Sequence, residues 1–70
     1  MADYKYKGHI AQIYEDTRWE DTIPSIRVTI KFQEFIMTGP WQWERDARKT
    51  RFSYIKHFER MVDKLNDSLK

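Results

Sequence analysis

The feature that most limits the fold of this chain is a change of hydrophobic period near its middle. Ile26, Val28, Ile30 and Phe32 alternate with Arg27, Thr29, Lys31 and Gln33. That is the two-residue repeat of a strand with one buried face, in a stretch rich in β-branched residues. From about Arg48 the repeat becomes helical, with Phe52, Ile55, Phe58, Met61, Val62, Leu65 and Leu69 recurring at three- and four-residue steps. Set at 100° per residue, these fall on one broad face, which predicts an amphipathic helix over about 48–68. A sheet with one apolar face and a helix with one apolar stripe bury both by lying against each other.

An earlier stretch adds to the sheet. Tyr4, Tyr6, Ile10 and Tyr14 alternate with Lys5, Lys7 and His9, which predicts a strand over about 4–14. Residues 15–25 hold Glu15, Asp16, Glu20 and Asp21 against Arg18, with Pro24 near the end, and read as an acidic loop. After Phe32 the parity breaks, since Phe35 and Met37 become the apolar positions of the 26–37 stretch. A one-residue slip inverts the buried face, so a bulge or a new strand is expected near Gln33–Glu34. Thr38-Gly39-Pro40 is a turn signal, and Trp41-Gln42-Trp43 is either a short strand or the approach to the helix. Asp46 or Thr50 suits the helix start. The expected fold class is α+β: a small two-layer sandwich with a two- or three-stranded antiparallel sheet and one C-terminal helix.

Seventy residues leave room for one domain, 1–70, and none for a cofactor domain. The chain has no cysteine, which excludes disulfides, thiolate metal sites and thiol nucleophiles. No apolar run is long enough to span a bilayer, and the first residues lack the apolar core of a signal peptide, so the expected location is cytoplasmic, without membrane association. His9 and His57 stand in different elements with no further ligand at a diagnostic spacing, so no metal is expected. Ser53 and His57 are four apart on the helix but lack an oxyanion elbow. Gly8 and Gly39 are too far apart for a phosphate-binding loop. The expectation is a protein that is not an enzyme and takes no cofactor.

Two surface features remain. The segment Ala47–Phe58 carries Arg48, Lys49, Arg51 and Lys56 and no acid. On the wheel Lys49, Ser53, Lys56, Arg60 and Lys64 form a stripe opposite the apolar face. Cations at a helix start oppose the macrodipole, which suggests charge kept for a partner, although a plainly solvated face has the same composition. Trp41 and Trp43 precede that segment, and as alternate residues of a strand they would share a face. They either cover the core or form an aromatic platform beside Arg45 and Arg48, a composition suited both to protein hot spots and to base stacking.

Charge is segregated along the chain, with acids in 15–21 and bases in 48–56. This bipolarity, with a net charge of only +2, favours a protein partner over a uniform phosphate track. The expected function is therefore a small inhibitor- or adaptor-type interaction module, of the kind phages and mobile elements encode. Its partner, a host or cognate protein, would bind at Trp41, Trp43, Arg45, Arg48, Lys49, Arg51 and Lys56. The alternative is a nucleic-acid-binding module using the start of the helix, or the polar sheet face with Lys5, Lys7, His9, Arg27, Thr29 and Lys31. The strand-strand-strand-helix order is one that some DNA-binding domains use, which is an analogy of topology only. An uncovered far face of the sheet makes a homodimer a further expectation.

Overall fold

Three two-residue turns organise the sheet. In the computed structural model, which describes residues 2–68, β1 (Ala2–Tyr6) turns through Lys7-Gly8 into β2 (His9–Glu20). Asp21-Thr22 leads into β3 (Ile23–Phe32), and Gln33-Glu34 leads into β4 (Phe35–Thr38). The strands form one antiparallel meander in the order β1-β2-β3-β4. Helix α1 (Glu44–Ser68) then crosses one face of the sheet, lying mainly on β3 and reaching β1. The α+β class and the C-terminal helix agree with the sequence reading.

The sheet has four strands rather than two or three, and the turns account for the difference. The stretch 4–14 is not one strand but a hairpin. Its tight turn sets Tyr6 opposite His9 and Tyr4 opposite Ala11, so the face-sharing set changes parity at Gly8. Ala11 and Ile13 are buried under the helix, whereas Ile10, expected on the buried face, is exposed. Lys7 (φ 49°) and Gly8 (φ 83°) are both left-handed, as a hairpin turn matched to strand twist requires. The parity break at Gln33–Glu34 is the start of a new strand, with Gln33 at φ 55°.

Residues 15–25 are not a loop. β2 and β3 stay paired from Gln12↔Lys31 out to Glu20↔Ile23, and this two-stranded ribbon projects beyond the level where β1 and β4 end. The molecule is accordingly long, 53 × 17 × 16 Å. The β2 half of this ribbon, Glu15–Glu20, is exposed throughout, which is why it is largely charged rather than alternating. Residues 41–43 do not make a strand either. Only Gln42 bridges to Ile26, exchanging backbone hydrogen bonds of 2.7 and 2.8 Å.

The core lies between sheet and helix: Ala11, Ile13, Val28, Ile30 and Phe32 from the strands, with Ala47, Phe58 and Val62 from α1. Phe58 meets Phe32 edge-on at 4.9 Å and Tyr4 at 6.1 Å. Helix α1 starts at Glu44, one turn before the expected Arg48, so Asp46 and Thr50 lie inside it rather than capping it. Glu44 and Asp46 in the first turn complement the macrodipole, which removes the argument that this helix start is electrostatically unfavourable. Phe52 does not belong to the buried face; it is 63 % exposed. Leu69 lies outside the described residues.

Candidate interaction surface

The path after β4 determines where the tryptophans go. The Gly39 N–H donates to the Val28 carbonyl at 2.9 Å, extending the ladder by one residue. A Cβ at Gly39 would stand 2.7 Å from the Tyr54 hydroxyl, so a larger residue here would require the Tyr54 side chain to shift. Pro40 follows, and the Gln42–Ile26 bridge then sets Trp41 alongside Arg27. The Arg27 and Arg18 guanidinium carbons lie 4.8 and 4.7 Å from the Trp41 ring. Arg18 and Arg27 project from the sheet face opposite α1, since their pair-mates Ser25 and Asp16 alternate with the helix-side Ile26 and Val28. Trp41 therefore sits on the outward face, outside the core.

Each arginine is also held by an acid. Arg27 reaches Asp16 at 3.4 Å, and Arg18 reaches Glu20 at 3.1 Å. The Arg27 Nε is buried without a hydrogen-bond partner. Two cations over one indole, each contributing about 0.5–1 kcal/mol at an exposed site, hold the ring in one place. Trp43 caps the helix through its backbone, its carbonyl accepting the Ala47 N–H at 2.9 Å, while its side chain is 65 % exposed. Trp19 on the ribbon, opposite Pro24, is 67 % exposed. Trp41, Trp43 and Trp19 thus lie toward the end of the molecule where the ribbon projects and the helix begins, with Trp19 on the sheet face opposite Trp41 by strand alternation.

The expected basic site is only partly assembled. Arg48 is paired with Glu44 at 2.8 Å and Arg51 with Glu15 at 3.4 Å, so both are neutralised within the chain. Lys56 approaches Glu59 at 3.6 Å and lies over the Phe52 ring at 5.3 Å. Arg45 and Lys49 are exposed, and no salt bridge among the described residues involves either. The segregation of acids and bases along the chain is therefore undone in space, because strand acids meet helix and strand bases.

The basic sheet face is reduced further. Lys7 turns away from it to Asp63 on the helix at 2.7 Å. That hydrogen bond raises the Lys7 ammonium pKa and lowers the Asp63 carboxyl below its ordinary value. His9 faces the helix side, edge-on to Phe32 at 5.8 Å. Thr29 bonds Thr38 across the strands, and Lys5 and Lys31 remain as exposed cations of the outward face. Nearby, the Tyr4 hydroxyl donates to Glu59 at 2.9 Å, which raises the phenol pKa.

His57 stacks on Phe35 at 5.7 Å, and no hydrogen bond joins it to Ser53 among the described residues. Among those residues no three histidines or carboxylates cluster to hold a metal, and no helix is long and apolar enough to cross a membrane. Arg18, which the sequence reading placed in an acidic loop, is the functional candidate it missed. Its signal was that it is the lone base among those acids. No known protein family, curated protein or solved structure matches the chain.

Proposed function

We propose that this chain is a non-enzymatic interaction module that binds a protein partner through the surface of Trp41 and Trp43, bordered by Arg18 and Arg27. The observation that carries the reading is an indole clamped by two guanidiniums on an uncovered sheet face, with two more tryptophans exposed at the same end. Trp and Arg are enriched in protein hot spots, Trp because it buries a large area at little rotamer cost and Arg because its planar fork offers several donors at once. Arg45 and Lys49 supply a cationic rim. Arg48 and Arg51 are left out of the site, because Arg18 and Arg27 are the arginines that lie over the Trp41 ring, whereas Arg48 and Arg51 pair with Glu44 and Glu15. The action is that of an inhibitor or adaptor, and a cysteine-free chain suits the reducing cytoplasm.

Pairing of the acids with Arg18, Arg27, Arg48 and Arg51 interrupts the cationic surface among the described residues, which disfavours nucleic acid. The test is capture from a lysate of the source cells, with and without nuclease, alongside titration of a fluorescent 20-bp duplex. A captured protein that survives nuclease, with duplex binding no tighter than the non-specific range of about 10⁻⁴–10⁻⁶ M, supports the reading. Loss of the captured material on nuclease treatment, with duplex affinity that falls steeply as salt rises, overturns it.

A further inference from the structure

The two edges of the sheet differ in kind. β1 presents Asp3 and Lys5 outward, and its Tyr4 and Tyr6 hydroxyls are tied to Glu59 and Asp63 of the helix. Charges on an edge strand discourage another strand from pairing with it. β4 reads Phe-Ile-Met-Thr without a charge, and Ile36 is 59 % exposed. Phe32↔Phe35 closes a two-residue turn, and Gly39, two residues beyond Met37, donates inward to Val28. Phe35, Met37 and Gly39 therefore spend their backbone groups on β3, and by alternation Ile36 and Thr38 point N–H and C=O outward.

Helix α1 sits over β3 and leaves a trough between itself and this edge. At the Phe35 end the trough opens into a cavity of about 380 Å³ lined by Phe32, Phe35, Met61 and Leu65, with Lys64 at its rim. At the Met37 end lies a second cavity of about 200 Å³, where Lys56, His57 and Arg60 gather around Met37 and Tyr54. Two residues of strand separate the ends, about 7 Å. That is the spacing of successive same-face side chains on an added strand.

We infer that the β4 edge accepts an extended peptide segment of a partner by strand addition, with an apolar side chain beside Phe35 and a carboxylate two residues away beside Lys56 and Arg60. Main-chain hydrogen bonds to Ile36 and Thr38 supply affinity, and the two cavities supply selectivity. A second copy of this chain is the poorer occupant. Two-fold pairing of β4 with itself sets Lys56, His57 and Arg60 of each copy toward the same three residues of the other. The acids near the trough, Glu34 and Glu59, lie at its turn end and under Lys56, respectively, and Arg60, beside Met37, makes no salt bridge among the described residues. This surface is separate from the Trp41–Trp43 surface, so either can fail alone.

The probe is the capped peptide Thr-Thr-Leu-Thr-Glu-Thr-Thr, its Leu/Glu-reversed form, and versions with Lys in place of Glu, titrated at pH 7.5 into ¹⁵N-labelled protein. One of the two Leu/Glu orders is expected to give saturable shifts centred on the Ile36 and Thr38 amides, with the Lys version about tenfold weaker or worse. Arg60→Glu is expected to reverse that preference on an exposed position that leaves the fold intact. Ile36→Pro removes an outward N–H without touching the β3–β4 ladder, and is expected to abolish binding. No saturable shift with either order, equal binding of the Glu and Lys versions, or shifts centred on Trp41–Trp43 overturns the inference. So do concentration-dependent shifts at β4 without peptide, which would assign the edge to self-pairing.

Discussion

Arg51 of the helix reaches Glu15 of β2 at 3.4 Å, joining two residues that belong to the oppositely charged segments of the chain. Both side chains are nearly half exposed, so the pair is a surface contact of about 0.2–1 kcal/mol. Its main effect is to cancel charge rather than to hold the fold. A double-mutant cycle with Glu15→Gln and Arg51→Gln is expected to give a coupling in that range, measured by urea denaturation. A coupling above about 2 kcal/mol would mean the pair is structural.

Phe58 is the keystone of the core, 1 % exposed and met edge-on by rings from β1 and β3. Phe58→Ala is expected to cost about 3–5 kcal/mol. At roughly 0.05–0.15 kcal/mol per residue a chain of this length has about 3.5–10 kcal/mol in total, so the loss takes about a third or more of it. The variant is therefore expected to melt well below the native protein by circular dichroism, whereas Phe58→Leu retains a cooperative melt.

All three tight turns place a residue with a side chain in the left-handed region, Lys7 at φ 49°, Asp21 at φ 56° and Gln33 at φ 55°. Aspartate tolerates that region through local hydrogen bonding, and glutamine does not. Gln33→Gly is expected to raise Tm by a few degrees, and Asp21→Gly by less, since the relieved strain is partly offset by the greater freedom of glycine in the unfolded chain. Thermal melts of both variants check the order.

The Lys7–Asp63 contact gives stability a pH signature. The Asp63 carboxyl is lowered from its ordinary value of 3.8, chiefly by the Lys7 hydrogen bond. Its contribution is complete above that value and is lost as pH falls through the lowered one. Lys7 and Tyr4 are raised, chiefly by hydrogen bonds to Asp63 and Glu59, so their contributions are intact below 10.5 and 10.0 and fade as pH climbs through the raised values. The Tm difference between the native protein and Asp63→Asn is expected to be widest near neutrality and to shrink below about pH 4 and above about pH 10. A difference independent of pH contradicts the assignment.

β3 and the helix were legible in the sequence because each carries a long, clean period: Ile26 to Phe32 at two, Phe58 to Leu65 at three and four. The hairpins were less so. Asp21-Thr22 and Gln33-Glu34 contain neither glycine nor asparagine, so only the parity break after Phe32 marked the second of them, and Tyr4 to Tyr14 kept one apparent parity through Gly8. The ribbon was read as a loop because charge on both faces looks the same in either state. The alternation of Trp41 and Trp43 indicated a shared face but not which one. That depends on the Gln42–Ile26 bridge and on Arg18, contacts between residues distant in sequence that no local pattern encodes.

The central claim is that the tryptophan surface binds a protein. The measurement that bears on it most directly is the affinity of the nuclease-resistant captured partner for the Trp43→Ser protein, whose exposed side chain can be removed without disturbing the core. The expected result is a loss of about 30-fold or more, typical of a hot-spot tryptophan, with Tm unchanged. Unchanged affinity at unchanged Tm contradicts the claim.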